Sequence, residues 1–188
     1  MHSPRLPRSL ILVTLIGAAS MLAACGAMTP RMAMFSQDGL PEAIKVPAGN
    51  KVALETVGAG DITYECRAKA DMPDQMEWVF VGPKATLLDR SGKLVGTYYG
   101  PPATWEATDG SKLTGTQVAV APSSAGNLPF QIVKANPAVG SGAMTGVTYI
   151  QRVALKGGVA PASPCNATTK GKREVVKYQA DYIFWKAA

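Results

Sequence analysis

Acidic side chains are the first candidates for chemistry in this chain, because two carboxylates held about 5–10 Å apart can hydrolyse glycosides. Glu106 and Asp109 lie within one turn of chain beside Trp105, and Asp181 lies close to the C-terminus. Asp109 precedes Gly110, a pair that is common in turns, and Glu106 can pair with a lysine. We therefore expect structural roles for these acids and keep a carboxylate-dependent hydrolase as the alternative.

Histidine chemistry is not expected in the mature protein. His2 is the single histidine of the chain, and it lies in a segment that we expect to be removed. Without imidazole, Ser-His-Asp and Cys-His catalysis and most zinc or copper sites are excluded. The sequence also contains no P-loop and no G-x-S-x-G motif. We predict no catalytic residue, no metal site and no cofactor.

The segment expected to be removed is a signal peptide over residues 1–24. Arg5 and Arg8 give it a basic start. Residues 10–24 form an uncharged apolar run, which is too short for a comfortable bilayer span of about 20 residues. Such a segment directs export.

The apolar run ends in Leu-Ala-Ala followed by Cys25. This pattern resembles the bacterial lipobox, in which the cysteine thiol is diacylated and becomes the mature N-terminus. The alternative is an ordinary secretory signal with a coincidental cysteine. Because Gly26 and not Asp follows Cys25, we expect a lipid anchor at the outer membrane, facing the periplasm. Residues 25–43 are predicted to be a flexible tether, and residues 44–188 a single β domain.

Cys66 and Cys165 are the remaining cysteines. Their number and spacing do not suit a cysteine metal site, and the periplasm is oxidising. We therefore predict a disulfide between them, with two separate buried thiols as the alternative.

Composition supports one globular domain and gives little sign of a charged partner. The chain has 188 residues, of which 47% are hydrophobic and 17% charged. Without Arg5 and Arg8 the formal net charge of +6 falls to +4. Only Lys170, Lys172 and Arg173 cluster, and we interpret them as a solvated loop and not as a nucleic-acid or anionic-membrane patch.

Alternation of apolar and polar residues predicts half-buried strands. Gly58 to Asp61 and Asp89 to Gly92 are predicted turns between strands, and no amphipathic helix of three turns is recognisable. The alternating or apolar segments are residues 51–57, 62–67, 78–81, 85–88, 93–99, 118–120, 130–135, 146–155 and 176–184. Of these, residues 130–135 can form either a strand or a single helical turn. Regular strands with turn signals, together with 19 Gly and 14 Pro, predict an all-β, antiparallel β-sandwich or barrel-like fold with long loops.

Aromatic residues are the best candidates for a ligand site. Tyrosine and tryptophan faces can stack on sugars and on other flat apolar ligands, although both residues are also common core anchors. We predict that the loop over residues 98–111 forms a functional edge, where acids orient polar groups of a ligand beside the aromatic faces. The candidate ligand-binding residues are Tyr98, Tyr99, Trp105, Glu106, Asp109 and Tyr149.

Several of these segments, taken in order, resemble one family, catalogued as domain of unknown function 3455. The motifs are WVFV at 78–81, TWEATDGS at 104–111, GVTYIQRV at 146–153 and Y-x-A-x-Y at 178–182. The resemblance covers about residues 44–185. It implies a secreted all-β domain found in bacteria and fungi, and it brings no established activity.

Taken together, the sequence favours a lipid-anchored cell-envelope protein with a non-catalytic binding or structural β domain. Its partners would be the membrane, through the anchor, and a small molecule, a glycan or an envelope protein, with no nucleic acid. The alternative is a carboxylate-dependent hydrolase that acts on envelope or extracellular glycans.

Overall fold

The computed structural model describes residues 35–188. The signal peptide, the lipidation site at Cys25 and the start of the tether lie outside these described residues. Within them, eight antiparallel strands form one sheet, in which each strand pairs with the next and the last pairs with the first. The strands are β1 (Asn50–Ala68), β2 (Met76–Leu88), β3 (Leu94–Tyr99), β4 (Thr104–Ala107), β5 (Lys112–Ala121), β6 (Phe130–Ala135), β7 (Val147–Gly157) and β8 (Arg173–Ala187). The predicted all-β antiparallel fold is confirmed, and the sheet closes as a barrel.

Closure depends on the two longest strands. β1 pairs with β8 from Asn50 opposite Ala187 to Glu65 opposite Arg173. Because the strands run alternately up and down, the connecting loops fall at two ends. One end carries the β1–β2, β3–β4, β5–β6 and β7–β8 loops, and also the disulfide described below. We call it the disulfide end.

One predicted turn is wrong. Gly58 to Asp61 does not turn the chain, because β1 runs unbroken through these residues. Gly58 instead leaves space inside the barrel, since a Cβ built on it would lie 2.5 Å from Cε2 of Tyr182. The two predicted segments 78–81 and 85–88 likewise form one strand, β2. Pro83 is tolerated there because the last β2–β3 pair is Lys84 with Tyr99, so its missing N–H costs no bond to β3.

Side chains alternate between the barrel interior and its outer surface, so two hydrophobic clusters form. The interior cluster includes Ile62, Leu87, Ile150 and Phe184. The outer cluster includes Ile183 and lies on the other face of the same strands.

Residues 35–46 lie against this outer cluster and cover it. Ile44 is fully buried, and the Phe35 and Trp185 rings meet edge to face with centroids 6.2 Å apart. Gln151, also fully buried, donates hydrogen bonds to Ile44 O and to Oε1 of Gln37. Residues 35–43, which were predicted to belong to the tether, are therefore packed on the barrel.

The predicted disulfide is confirmed. Cys66 near the end of β1 is bonded to Cys165 in the β7–β8 loop, with 5.5 Å between their Cα atoms and 99 residues of sequence separation. The bond fixes the longest loop of the disulfide end against the barrel wall. Tyr64 strengthens this attachment, because its hydroxyl donates to Gly158 O at 2.7 Å.

Candidate functional site

The acids that suggested hydrolysis each bind a partner. Glu106 accepts a hydrogen bond from the Tyr99 hydroxyl at 2.6 Å. Asp109 accepts from the backbone N–H of Ala143 at 2.7 Å and from the backbone N–H and hydroxyl of Ser111. These hydrogen bonds hold the pKa of Asp109 below its ordinary value. Asp109 therefore acts as a turn-forming anion that joins the β4–β5 turn to the β6–β7 loop.

Asp181 has a similar structural role on the outer surface. Its carboxylate lies 2.7 Å from Nη1 of Arg90, whose Nε lies 3.0 Å from Glu55. One guanidinium from the β2–β3 turn thus joins β8 and β1. Among the described residues, no three His, Cys, Asp or Glu side chains form a group that could hold a metal ion.

The aromatic residues of the predicted ligand site are divided by the barrel wall. Tyr98 and Trp105 are opposite each other on β3 and β4 and face the interior, where Trp105 is 1% exposed. Their rings are stacked, with centroids 4.8 Å apart. Tyr99 lies on the outer surface with Glu106. Tyr149 packs against the outer cluster, so the six predicted residues do not form one site.

A second set of residues does come together, in the interior near the disulfide end. Arg152 lies on β7 opposite Tyr182 of β8. Its neighbour Val153 belongs to the outer cluster, and its other neighbour Gln151 bonds to Ile44, which covers that cluster. Because successive side chains of a strand point to opposite faces, the Arg152 side chain points into the barrel. The guanidinium donates to Pro129 O at 3.0 Å. Its Nε is buried with no hydrogen-bond partner.

Four tyrosines lie near enough to this cation to feel its charge, and Trp105 packs against two of them, Tyr98 and Tyr182. The Tyr178 and Tyr182 hydroxyls are 3.3 Å apart, and the Tyr98 and Tyr182 rings are 5.0 Å apart. Nε1 of Trp105 is buried and has no partner. We refer to Arg152, Trp105, Tyr64, Tyr98, Tyr178 and Tyr182 as the Arg152 cluster.

The electrostatics of the Arg152 cluster favour neutral tyrosines and one full positive charge. Burial raises the pKa of each of the four tyrosines above the ordinary value, and the positive charge of Arg152 offsets part of that rise in each. Their phenols therefore remain protonated at neutral pH and can donate hydrogen bonds. A cation surrounded by donors is suited to bind an acceptor-rich or anionic group.

The barrel wall is incomplete beside this cluster. β3 and β4 form a short hairpin, whose last pairs toward the disulfide end are Tyr99 with Lys84 of β2 and Thr104 with Thr114 of β5. β2 and β5 continue past these pairs toward the same end without a strand between them. The β3–β4 connection lies against Gly82 of β2 at the start of this gap, and beyond it no strand of the described chain closes the wall between β2 and β5.

Side chains on the inner face at this opening are exposed to solvent. Phe80 pairs with Tyr64 and is 49% exposed, and Val120 pairs with Gln131 and is 45% exposed. Gln117 lies on the same face opposite a core valine and accepts a hydrogen bond from Gln131 at 2.6 Å. We call Phe80, Gln117, Val120 and Gln131 the mouth.

Two further grooves flank β1 at Gly60, which pairs with Tyr178 on one side and Ala85 on the other. One has a volume of about 620 Å³. The other has a volume of about 570 Å³. Lys156 and Lys177 line the first, and these lysines lie on the outer side of the wall that the Arg152 cluster lines from within.

Comparison with known proteins agrees with the resemblance seen in the sequence. The model of a family described as "Protein of unknown function (DUF3455)" matches residues 47–186. The chain belongs to this family. No curated protein and no solved structure matches the chain. Within residues 35–188 of this family member, no helix is long and apolar enough to cross a membrane.

Sequence reasoning missed most of the Arg152 cluster. The strand predicted over 146–155 contains the signal, because Arg152 lies two residues after Ile150 and thus on the side that faces the core. A cation at a core-facing strand position is unusual and needs a reason. Tyr178 and Tyr182 lie on one face of the strand predicted over 176–184, but no local pattern connects their hydroxyls with a cation on another strand.

Proposed function

We propose that this family member is a lipid-anchored cell-envelope protein whose barrel is a non-catalytic binding domain for a small apolar molecule. The ligand enters through the mouth and lies against the Arg152 cluster. The observation that carries the proposal is the exposure of Phe80 and Val120, at 49% and 45%, on the inner face of the barrel.

Eight-stranded barrels can either fill their interior with side chains or hold one small ligand. Here one continuous cluster of buried apolar and aromatic side chains runs through the interior. At the mouth, the apolar inner face remains in contact with solvent, and covering a large apolar side chain contributes about 1.5–3 kcal/mol. A ligand that covers Phe80 and Val120 would gain a contribution of this kind.

A non-catalytic role agrees with the positions of the acids. Glu106, Asp109 and Asp181 lie in separate contacts with Tyr99, Ser111 and Arg90. The hydrolase alternative needs two carboxylates that face one substrate, and these three acids are engaged in different parts of the fold.

The lipid anchor is proposed at Cys25, at the outer membrane and facing the periplasm. The Cys66–Cys165 disulfide supports export, since such bonds persist in oxidising compartments. Replacing the thiol in Cys25→Ser should abolish labelling by a radioactive fatty acid and release the protein from membranes. Undiminished labelling of that variant would overturn the anchor.

Binding can be tested with the neutral fluorescent dye N-phenyl-1-naphthylamine and the full mature protein. Wild type should bind the dye, and Val120→Trp, which fills the mouth, should weaken binding at least tenfold. Val175→Trp is the matched control, because Val175 is 59% exposed and lies on the outer surface of β8. Absence of binding to wild type, or equal loss in both variants, would refute a ligand site at the mouth.

A further inference from the structure

We infer that the ligand of the mouth carries one carboxylate, and that Arg152 binds this group inside the barrel. The ligand class is therefore an apolar monocarboxylate, such as a medium-chain fatty acid or an aromatic acid. This inference rests on the proposed function and adds the charge of the ligand and the residue that selects it.

Arg152 differs from the other arginines of the described chain. Arg67, Arg90 and Arg173 all lie within 3.0 Å of a glutamate or aspartate oxygen. Arg152, in contrast, makes no ion pair among the described residues, although its Nε is buried. An arginine side chain cannot lose its proton in a protein, so it cannot escape the cost of burial by becoming neutral. A ligand anion would supply the missing partner.

Other members of the Arg152 cluster are also donors. Nε1 of Trp105 can only donate, and it is buried without an acceptor. The Tyr178 and Tyr182 hydroxyls contact each other at 3.3 Å and can turn toward an acceptor. A guanidinium presents its donors in a planar fork that matches the two oxygens of a carboxylate. One cation among aromatic rings fits one negative charge.

The mouth and the cation are joined along one row of side chains. Val120 pairs with Gln131, and Gln131 pairs with Arg152, all on the inner face of β5, β6 and β7. Neighbouring strands are about 4.8 Å apart, so Val120 and Arg152 are separated by about 10 Å. If the carboxylate of the ligand binds Arg152, an apolar chain of about 10 Å would therefore extend along this row and reach Phe80 and Val120.

The test compares decanoate with decanol, which has the same chain length and no charge. Calorimetry on the full mature protein should show decanoate binding at least tenfold more tightly than decanol at neutral pH. A tenfold preference is the size expected for one hydrogen bond to a charged group. Arg152→Met should remove this preference and leave the affinity for decanol within about twofold of wild type. Lys156→Met is the control, because Lys156 lies on the same strand but lines the outer groove, and it should keep the preference.

A second measurement on wild type does not depend on the folding of any variant. With decanoate labelled with ¹³C at its carboxyl, NMR titration should show that the bound acid has a lower pKa than the free acid, because a nearby cation favours the carboxylate. Three results would each overturn the inference while the proposed binding function stands. They are equal binding of decanoate and decanol, a preference for decanoate that survives in Arg152→Met, and a pKa of the bound acid at or above that of the free acid. If wild type binds neither compound nor the neutral dye, both proposals fail.

Discussion

Replacing Trp105 by alanine should lower the free energy of unfolding by about 3–5 kcal/mol, the range for truncating a large aromatic side chain in a core. Trp105 is 1% exposed and lies in the barrel interior. Its ring stacks on Tyr98 at 4.8 Å and meets Tyr182 at 6.0 Å. The change would therefore leave a cavity bordered by two other buried rings.

The size of the effect follows from three contributions. A tryptophan buries up to about 250 Å², which at about 25 cal/mol per Å² gives an upper limit of about 6 kcal/mol. The loss of aromatic pairs adds about 1 kcal/mol. Against this, Nε1 of Trp105 is buried without a partner, and removing such a donor returns about 1–3 kcal/mol. These contributions set an upper limit of about 4–6 kcal/mol, and the expected loss of about 3–5 kcal/mol lies within or below it.

Urea unfolding of the disulfide-intact protein, followed by far-ultraviolet circular dichroism, measures this difference in the free energy of unfolding. The slope of that free energy against urea concentration should be the same in wild type and variant. Trp105→Phe is the matched variant. It keeps a ring against Tyr98 and removes the unpaired donor, so it should cost less than about 1.5 kcal/mol. If Trp105→Ala also costs less than about 1.5 kcal/mol, Trp105 does not hold the interior together, and its side chain behaves as a surface group.

Three further predictions concern other parts of the fold. Gln151→Ala should cost about 2–4 kcal/mol in urea unfolding and speed hydrogen exchange in residues 35–46, because it leaves Ile44 O and Trp185 Nε1 without their partner. Removing the disulfide in Cys66→Ala should lower the free energy of unfolding by up to about 4–5 kcal/mol, since the bond closes a long loop. If both cysteines of wild type are alkylated without reductant, the bond itself is contradicted. Hydrogen bonds from Arg67, the larger cause, and from Arg173 lower the pKa of Glu65 to about 2. The contribution of Glu65 to stability is therefore present above about pH 4.5 and is lost as the pH falls toward 2. Acid titration of Glu65→Gln should lack this part of the loss, and an unchanged acid profile would refute it.

Local pattern was enough to predict the class of fold but not its closure. Alternation over residues 51–57, 62–67 and 176–184 indicates strands with one buried face, and these became parts of β1 and β8. The pairing of Asn50 with Ala187 joins opposite ends of the domain, and no local signal encodes it. For this reason the sequence predicted a sandwich or a barrel without a choice between them.

Turn chemistry misled the prediction where glycine has another use. Gly58 and Gly60 resembled a hairpin, yet both lie inside β1, and Gly58 makes room for the Tyr182 ring. Asp109 with Gly110 did form a turn, and Gly110 has a φ of 83°. The difference lies in tertiary packing, since a strand glycine opposite a large buried ring and a turn glycine have similar local sequences.

The candidate site was predictable only in part for a related reason. β4 has only four residues between two turns, so the sequence predicts a loop around Trp105, although Trp105 faces Tyr98 across a strand pair. Arg152 was visible as a cation on the core side of a strand, but its neighbours come from β1, β3 and β8. Assembling those residues requires the register of the closed sheet.

The Arg152 cluster leaves two buried donors without acceptors, at Nε of Arg152 and Nε1 of Trp105. Each such group costs about 1–3 kcal/mol, and more when it is charged, whereas apolar residues of similar size would carry no such penalty. The Cys66–Cys165 bond, whose 99-residue loop contributes up to about 4–5 kcal/mol, lies at the same end of the barrel and can offset a cost of this size. Residues that break the rules of core packing in one place, with a compensating constraint close by, are typical of functional sites. The bond therefore stabilises the disulfide end of the barrel, and in the proposed function this is the end at which the ligand enters.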